Sequence, residues 1–166
     1  FKVSFPGNQD NNGNTIPESI TGSYKMSKYI EFKDLYVYKD GADIERAFKI
    51  AVDFKLFMAA QIFSKNILDP IIARYGKFVG GNGKPNSFYR YNVPSGGSKT
   101  SSHLLALACD MSLAVNVSDN LCEPYLWLAQ NKDILGYDQL ILEGDGSMWR
   151  WIHVGFQING VNRKQT

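Results

Sequence analysis

Residues 139–158 read QLILEGDGSMWRWIHVGFQI, and this segment contains two strand signals separated by a turn signal. Runs rich in aliphatic and aromatic residues, Gln139 to Glu143 and Arg150 to Ile158, flank the turn Gly144-Asp145-Gly146-Ser147. Apolar runs on either side of a glycine-rich turn are typical of a β-hairpin. The segment therefore predicts two antiparallel strands.

The residues before this hairpin include two segments with helical signals. Apolar residues recur at spacings of three and four from Ile44 to Ile72, which predicts a helix that begins at an N-cap, Asp43, and stops at Gly76. Pro70 lies inside this pattern, so we expect a kink or two separate helices. Asp119 to Asn131 predicts a further helix, with a proline in its first turn.

Three shorter segments are predicted to be extended. Leu104 to Leu113 is apolar and bounded by polar residues, as a buried strand would be. Ser87 to Tyr91 favours a short strand, and Ile30 to Tyr38 favours a short strand or a docking segment. Helices come first and strands dominate the second half, which predicts an α+β class with N-terminal helices packed on a central antiparallel β-sheet.

The chain is predicted to contain an arm and one domain. Residues 1–28 are rich in Asn, Gly, Ser and Thr without sustained periodicity, so we expect an extended arm or linker, followed by a single domain over 29–166. The chain begins with Phe1 rather than Met and ends at Thr166 without a stop signal, which suggests a processed product or a piece of a longer protein.

Composition excludes several classes of protein and site. The net charge of +2 is too small to favour a nucleic-acid partner. We expect no apolar run long enough to span a membrane, and therefore no membrane partner. Two Cys cannot build a disulfide-rich scaffold or a four-thiolate zinc site. Two His require that any zinc held by His also recruits a carboxylate or a thiolate.

Three residues are candidate metal ligands. His103 follows a polar loop, and Asp110 sits in an apolar stretch where a carboxylate must be paired, hydrogen-bonded or bound to metal. In a strand, His153 shares one face with Trp151 and Gly155. Two His and one Asp are a plausible zinc first shell with water as fourth ligand. By spacing alone, packed or exposed histidines without metal remain the commoner interpretation.

The residues around these candidates carry a family resemblance. Ser101 to Asp110 resembles the S-x-H-x-x-G-x-A-x-D motif of zinc D-Ala-D-Ala carboxypeptidases, and Trp151 to Val154 resembles their W-x-H-V segment. These enzymes belong to the hedgehog-like zinc peptidases, with vancomycin-resistance dipeptidases and phage L-alanyl-D-glutamate endolysins. Further motifs typical of the phage and bacterial branch follow the same order: Tyr89-Arg90, Gly96-Gly97-Ser98, D-Q-L-I-L-E at 138–143 and N-R-K-Q at 162–165. The likeness covers roughly 66–166.

This resemblance implies a site and an activity. It implies Zn²⁺ bound by the three candidate ligands, a hedgehog-like fold, and hydrolysis of amide bonds in peptidoglycan stem peptides or cross-links. Glu143 would be the general base, Arg90 would stabilise the oxyanion, and Ser101 would contact substrate or the site loop. The expected setting is a phage virion-associated lysin or an endolysin, located in the virion or the bacterial cell envelope, with tail or baseplate proteins as further partners.

The sequence departs from the family pattern at two positions. Many relatives place the base three residues before the last His, where this chain has Arg150, so Glu143 and Asp145 compete for that role. Arg90 and Glu143 could instead pair with each other or face solvent. Ala106 replaces the glycine of the motif. The alternative function is therefore a catalytically altered peptidase fold that serves as a structural or wall-binding module of a phage tail or baseplate.

Overall fold

The computed structural model describes residues 8–9, 15–16, 25–35, 49, 52–76, 99–111, 121–144 and 149–158. In chain order the elements are β1 (Asn8–Gln9), β2 (Thr15–Ile16), α1 (Phe32–Leu35), α2 (Phe54–Phe63), a π-helical turn (Ser64–Leu68), α3 (Asp69–Tyr75), a 3₁₀-helix (Ser102–Leu105), β3 (Ala108–Met111), α4 (Cys122–Gln130), α5 (Lys132–Leu135), β4 (Gln139–Gly144) and β5 (Trp149–Gly155). Helices and antiparallel strands occur together, so the predicted α+β class is confirmed.

A three-stranded antiparallel sheet of order β3-β5-β4 forms the centre of the described fold. The predicted hairpin is its β4–β5 pair. Because side chains alternate along a strand, each strand contributes to two different faces. The core face carries Cys109, Met111, Leu140, Ile152 and Val154, all of which are buried. The other face carries the candidate ligands and is called the site face below.

The longest helical segment runs from Phe54 to Tyr75. Asp53 caps its start by accepting hydrogen bonds from the backbone N–H groups of Lys55 and Leu56, at 2.9 and 3.1 Å. The predicted start at Asp43 lies outside the described residues. Near Pro70, where a kink or two helices are expected, the helical segment continues through a π-helical turn, in which the backbone N–H of Asp69 donates to the carbonyl of Ser64.

This continuous helix corrects one expectation. The segment Phe54–Tyr75 spans 22 residues and is apolar enough to meet the length and composition criteria for a membrane span. The expectation that no such segment exists is therefore wrong. Part of the segment is buried, because Phe63, Ile67 and Ile71 belong to the core cluster. Buried core helices of other proteins meet the same criteria, so this finding is not evidence that the segment crosses a membrane.

The end of the predicted arm packs against α3. Met26 and Ser27 are buried. The Asp69 carboxylate accepts hydrogen bonds from the Ser27 hydroxyl at 2.8 Å and from the backbone N–H groups of Lys28 and Tyr29. This carboxylate therefore fastens the segment to the first turn of α3. The division between arm and domain at residue 28 stays a prediction.

Two predicted strands differ in the structure. Leu104 to Leu113 forms a strand only at 108–111, because its first residues complete the 3₁₀-helix Ser102–Leu105. Within Ile30 to Tyr38, residues 32–35 form α1 instead of a strand. In both places a polar side chain accepts a hydrogen bond from a backbone N–H at the start of a short helical turn. Ser101 caps the 3₁₀-helix in this way, and Asp34 inside α1 accepts from the N–H of Glu31. The segment 87–91 lies outside the described residues.

Candidate metal centre

His103 reaches the site from the 3₁₀-helix that precedes β3. Ser101 begins this turn, and its hydroxyl accepts a hydrogen bond from the backbone N–H of His103 at 3.4 Å. The turn closes through the backbone N–H of Leu107, which donates to the carbonyl of Ser102 at 3.0 Å. Leu107 then accepts a bond from the N–H of Phe156 at 2.8 Å, just beyond β5. These bonds fix the His103 turn against the sheet.

Ala106 is the residue at which the chain leaves the turn and enters β3. Its backbone lies in the left-handed region, with φ 55° and ψ 29°, and its side chain is fully buried. A residue with a β-carbon pays about 1–2 kcal/mol in this region, whereas glycine enters it freely. The resemblance motif has glycine at this position, and the left-handed turn gives the physical reason. Ala106 keeps the turn at a cost in strain.

Strand pairing brings the other two candidates together. In the β3–β5 register Asp110 lies directly opposite His153, although they are 43 residues apart in sequence. Side chains at directly opposite positions point to the same face, with Cβ atoms about 4.5–5.5 Å apart. Both side chains therefore project from the site face, where His103 meets them.

The three side chains converge on one point. Asp110 Oδ1 lies 3.1 Å from His103 Nε2 and 2.9 Å from His153 Nδ1, and the two imidazole nitrogens lie 3.3 Å apart. Ligands ~2.0–2.1 Å from a tetrahedral zinc ion lie about 3.3–3.4 Å from each other. The nitrogen pair already has this spacing, and the two contacts to the carboxylate are shorter by about 0.2–0.5 Å. The cluster could bind a metal ion.

Hydrogen bonding alone fits this cluster less well than a cation does. The His103, Asp110 and His153 side chains are only 2%, 8% and 11% exposed, so water provides little compensation. If one imidazole donates its proton to the carboxylate, the other nitrogen must also donate, or else face the carboxylate oxygen with its lone pair. The first choice places two N–H groups 3.3 Å apart. The second points a nitrogen lone pair at the carboxylate oxygen from 3.1 Å or less. A bound cation accepts a lone pair from all three atoms.

Glu143 occupies a neighbouring position on the site face. His153 pairs with Ile141 across β4, and Glu143 lies two residues further along the same strand, opposite Trp151. Its side chain is half-buried. Residues two apart on a strand share a face, so Glu143 and His153 are diagonal neighbours whose Cβ atoms lie about 7–8 Å apart or somewhat less. The other predicted groups, Arg90 and Asp145, lie outside the described residues.

Arg150 occupies an irregular position in β5. The register shifts between Glu143 and Gly144, so that Glu143 pairs with Trp151 and Gly144 with Trp149. Arg150 is thus the extra residue of a β-bulge, and its side chain is exposed. The position three residues before the last His, where the resemblance leads us to expect the base, is therefore part of the bulge in this chain.

The cysteine nearest the ligands takes no part in the site. Cys109 is fully buried on the core face of β3, as the alternation of the strand predicts. Burial, and next the negative charge of Asp110, raise the pKa of its thiol well above the usual range. A neutral, enclosed thiol is a poor nucleophile and a poor metal ligand.

One group of the site was missed by sequence reasoning. Strand alternation predicts only that Trp151 shares a face with His153, whereas the structure shows that its indole Nε1 is buried without a hydrogen-bond partner. Only the three-dimensional surroundings show that a donor is unsatisfied, so no signal in the sequence could have identified it.

Comparison with known proteins adds no relative. No protein-family model matches the chain, and neither the curated proteins nor the solved structures show a significant match. The fold and the site define an α+β protein with a buried His–Asp–His centre that could bind a metal ion.

Proposed function

We propose that the chain is a zinc-dependent peptidase that hydrolyses amide bonds in bacterial peptidoglycan stem peptides or cross-links. The observation that carries the proposal is the convergence of His103, Asp110 and His153 within 3.3 Å on one face of the sheet. These are the same three residues that match the ligand positions of the hedgehog-like peptidase motifs. The hedgehog-like fold is part of the proposal.

Zinc is the metal that suits this donor set best. Two imidazoles and one carboxylate are common zinc ligands, and three protein ligands leave the fourth tetrahedral position for water or substrate. Magnesium and calcium prefer sets made only of oxygen atoms. When bound, zinc would lower the pKa of its water to ~7 and polarise the scissile carbonyl group.

Glu143 is proposed as the general base and acid. Its carboxylate would accept the proton of the attacking water and then donate it to the leaving amine. The position supports this role, because Glu143 shares the site face with His153 and is half-buried. Arg90 is proposed to stabilise the oxyanion, and Asp145 remains the competing base.

Ser101 is proposed to contact substrate beside the ligands. Its hydroxyl already accepts the hydrogen bond that begins the His103 turn, and the hydroxyl proton stays free to serve as a donor. A substrate carbonyl near His103 would find this donor at the edge of the turn. The residue would then both hold the ligand turn and bind the peptide.

The biological setting in the proposal comes from the motif resemblance. A virion-associated lysin or an endolysin would act in the phage virion or at the bacterial cell envelope, with peptidoglycan peptide as substrate and tail or baseplate proteins as further partners. A net charge of +2 provides little general attraction to a polyanion, so nucleic acid is not a proposed partner.

A second candidate function is a catalytically altered module that keeps the metal. Ala106 occupies a left-handed position, and Arg150 with its bulge replaces the acid found in many relatives. In that case zinc would serve the stability of the module, and the chain would bind cell wall or neighbouring virion proteins without cleaving peptide.

Metal analysis combined with peptidoglycan hydrolysis tests the proposal. We expect about one zinc per chain in the wild type, none in His103→Ala, and release of free amines from purified peptidoglycan. Glu143→Gln should keep zinc and lose about 10²–10⁴ of the rate, as expected for removal of a general base. Glu123→Gln on α4 is the matched control, because it makes the same chemical change outside the site.

Each outcome separates the candidate functions. Zinc with amine release that depends on Glu143 supports the peptidase. Zinc without amine release, unaffected by Glu143→Gln, supports the altered module. A chain that binds no zinc, and for which His103→Ala is harmless, refutes both metal-dependent functions.

A further inference from the structure

Trp151 carries an unsatisfied donor beside the metal centre. Among the side-chain nitrogen and oxygen atoms of the residues that the structure describes, its indole Nε1 is the one that is buried and lacks a hydrogen-bond partner. Buried polar groups nearly always have partners, and an exception calls for an explanation. An indole N–H can only donate, so the missing partner must be an acceptor.

The location of Trp151 restricts which acceptor this can be. Trp151 lies two residues before His153 in β5, so both side chains project from the site face. Across the sheet its direct partner is Glu143, and directly opposite residues have Cβ atoms about 4.5–5.5 Å apart. A glutamate side chain and an indole ring each extend far enough to meet over that separation.

The other carboxylate on this face is already engaged. Asp110 Oδ1 contacts both imidazoles. Glu143 is different, because its half-buried carboxylate makes no hydrogen bond or ion pair with the described residues. Within the described part of the chain, the indole N–H of Trp151, which lacks an acceptor, thus lies on the residue directly opposite Glu143, whose carboxylate lacks a donor.

We propose that Trp151 is a positioning residue whose indole N–H donates to the Glu143 carboxylate when the metal centre is loaded. The inference rests on the proposed function, because it concerns the group assigned there as the base. The hydrogen bond would hold one carboxylate oxygen on the indole and leave the other directed at the reacting water. In the structure this donor has no partner among the described residues.

Nuclear magnetic resonance of the indole N–H groups tests the pairing without any turnover. The chain has three Trp, and the signal of Trp151 is identified by its loss in Trp151→Phe. Zinc should move this signal downfield and slow its exchange with solvent by about tenfold or more, a factor equivalent to ~1.4 kcal/mol for a hydrogen bond to a charged group. Glu143→Ala should abolish both effects, while the Trp127 signal stays unchanged.

Failure of the proposed function and failure of the Trp151–Glu143 pairing lead to different measurements. A protein that takes up no zinc overturns the proposed function, and with it the basis of this inference. A zinc-loaded protein whose Trp151 signal is the same with and without Glu143→Ala overturns the pairing and leaves zinc binding intact. A signal that follows Glu143 only in the loaded protein supports the pairing.

Kinetics and stability separate positioning from a merely structural role. Trp151→Phe should lower kcat about tenfold, with KM and zinc content unchanged, as expected for loss of a group that orients the base. In metal-free protein the same change removes an unsatisfied donor but also some packed ring volume, so the urea midpoint should change little. Trp127→Phe on α4 is the matched control and should leave kcat unchanged. A lower midpoint with unchanged kcat would show that Trp151 only supports the fold.

Discussion

Replacing Ala106 with glycine tests the physical account of the turn that positions His103. Ala106 and Ala60 are both fully buried alanines, but Ala106 lies in the left-handed region and Ala60 lies inside α2. An Ala→Gly change removes the same methyl group from the core at each position. A comparison of the two variants therefore isolates the backbone contribution.

The expected magnitudes follow from the two conformations. Loss of a buried methyl costs ~0.8 kcal/mol at either position. At Ala60 the loss of helix propensity adds ~0.8–1.0 kcal/mol, so Ala60→Gly should lower the free energy of unfolding by about 2 kcal/mol. At Ala106, glycine releases ~1–2 kcal/mol of left-handed backbone strain. This gain offsets two losses of stability, one from removing the buried methyl group and one from the greater conformational entropy of the unfolded chain. Ala106→Gly should therefore change stability by less than about 1 kcal/mol.

Urea unfolding of the two variants beside the wild type measures this difference. A gap of about 2 kcal/mol between the variants corresponds to roughly 4–8 °C in Tm for a chain of this size. The m-value should not change, since neither variant alters the surface exposed on unfolding. Equal losses in Ala106→Gly and Ala60→Gly would refute the argument, because position 106 would then carry no strain for glycine to release.

Three further predictions concern the metal, a buried tyrosine and the thiols. Zinc at a hundredfold excess over its Kd should add ~2.7 kcal/mol of stability, or about 5–10 °C in Tm, and a chelator should reverse this; an unchanged Tm would contradict a metal centre. Burial, then the charges of Tyr125 and Asp133, raise the pKa of Tyr137 to about 12 from 10.0. The protonated phenol is thus favoured in the folded state. The stability that this preference adds is complete below pH 10 and is lost as pH rises from 10 to 12, by on the order of 2 kcal/mol. Tyr137→Phe should flatten this part of the pH–stability curve measured by urea unfolding. A thiol reagent should label Cys122 in the native protein and Cys109 only after unfolding, because Cys122 is exposed and Cys109 is buried; rapid labelling of both would contradict the burial.

Local patterns predicted those elements whose signals lie within one segment. The β4–β5 hairpin follows from two apolar runs around a glycine-rich turn. The helix over 54–75 follows from apolar spacing, and its π-helical turn lies just before Pro70. Failures occurred where a polar side chain or a backbone conformation overrides an apolar run. Ser101 and Ala106 turn the start of an apparent strand into a 3₁₀-helix, which hydrophobic periodicity alone cannot show.

The sequence by itself determined which groups are available for the site: two histidines, and one aspartate in an apolar stretch where a carboxylate needs a partner. Only the tertiary structure decided that these groups meet. His103 and His153 are 50 residues apart in sequence, and their nitrogens lie 3.3 Å from each other because β3 and β5 pair in one register. That register is set by the burial of Met111, Ile152 and Val154 on the opposite face, since a shift of one residue would move the ligands into the core and the core residues to the site face. The position of the Trp151 indole opposite Glu143 depends on the second register, that of β4 and β5.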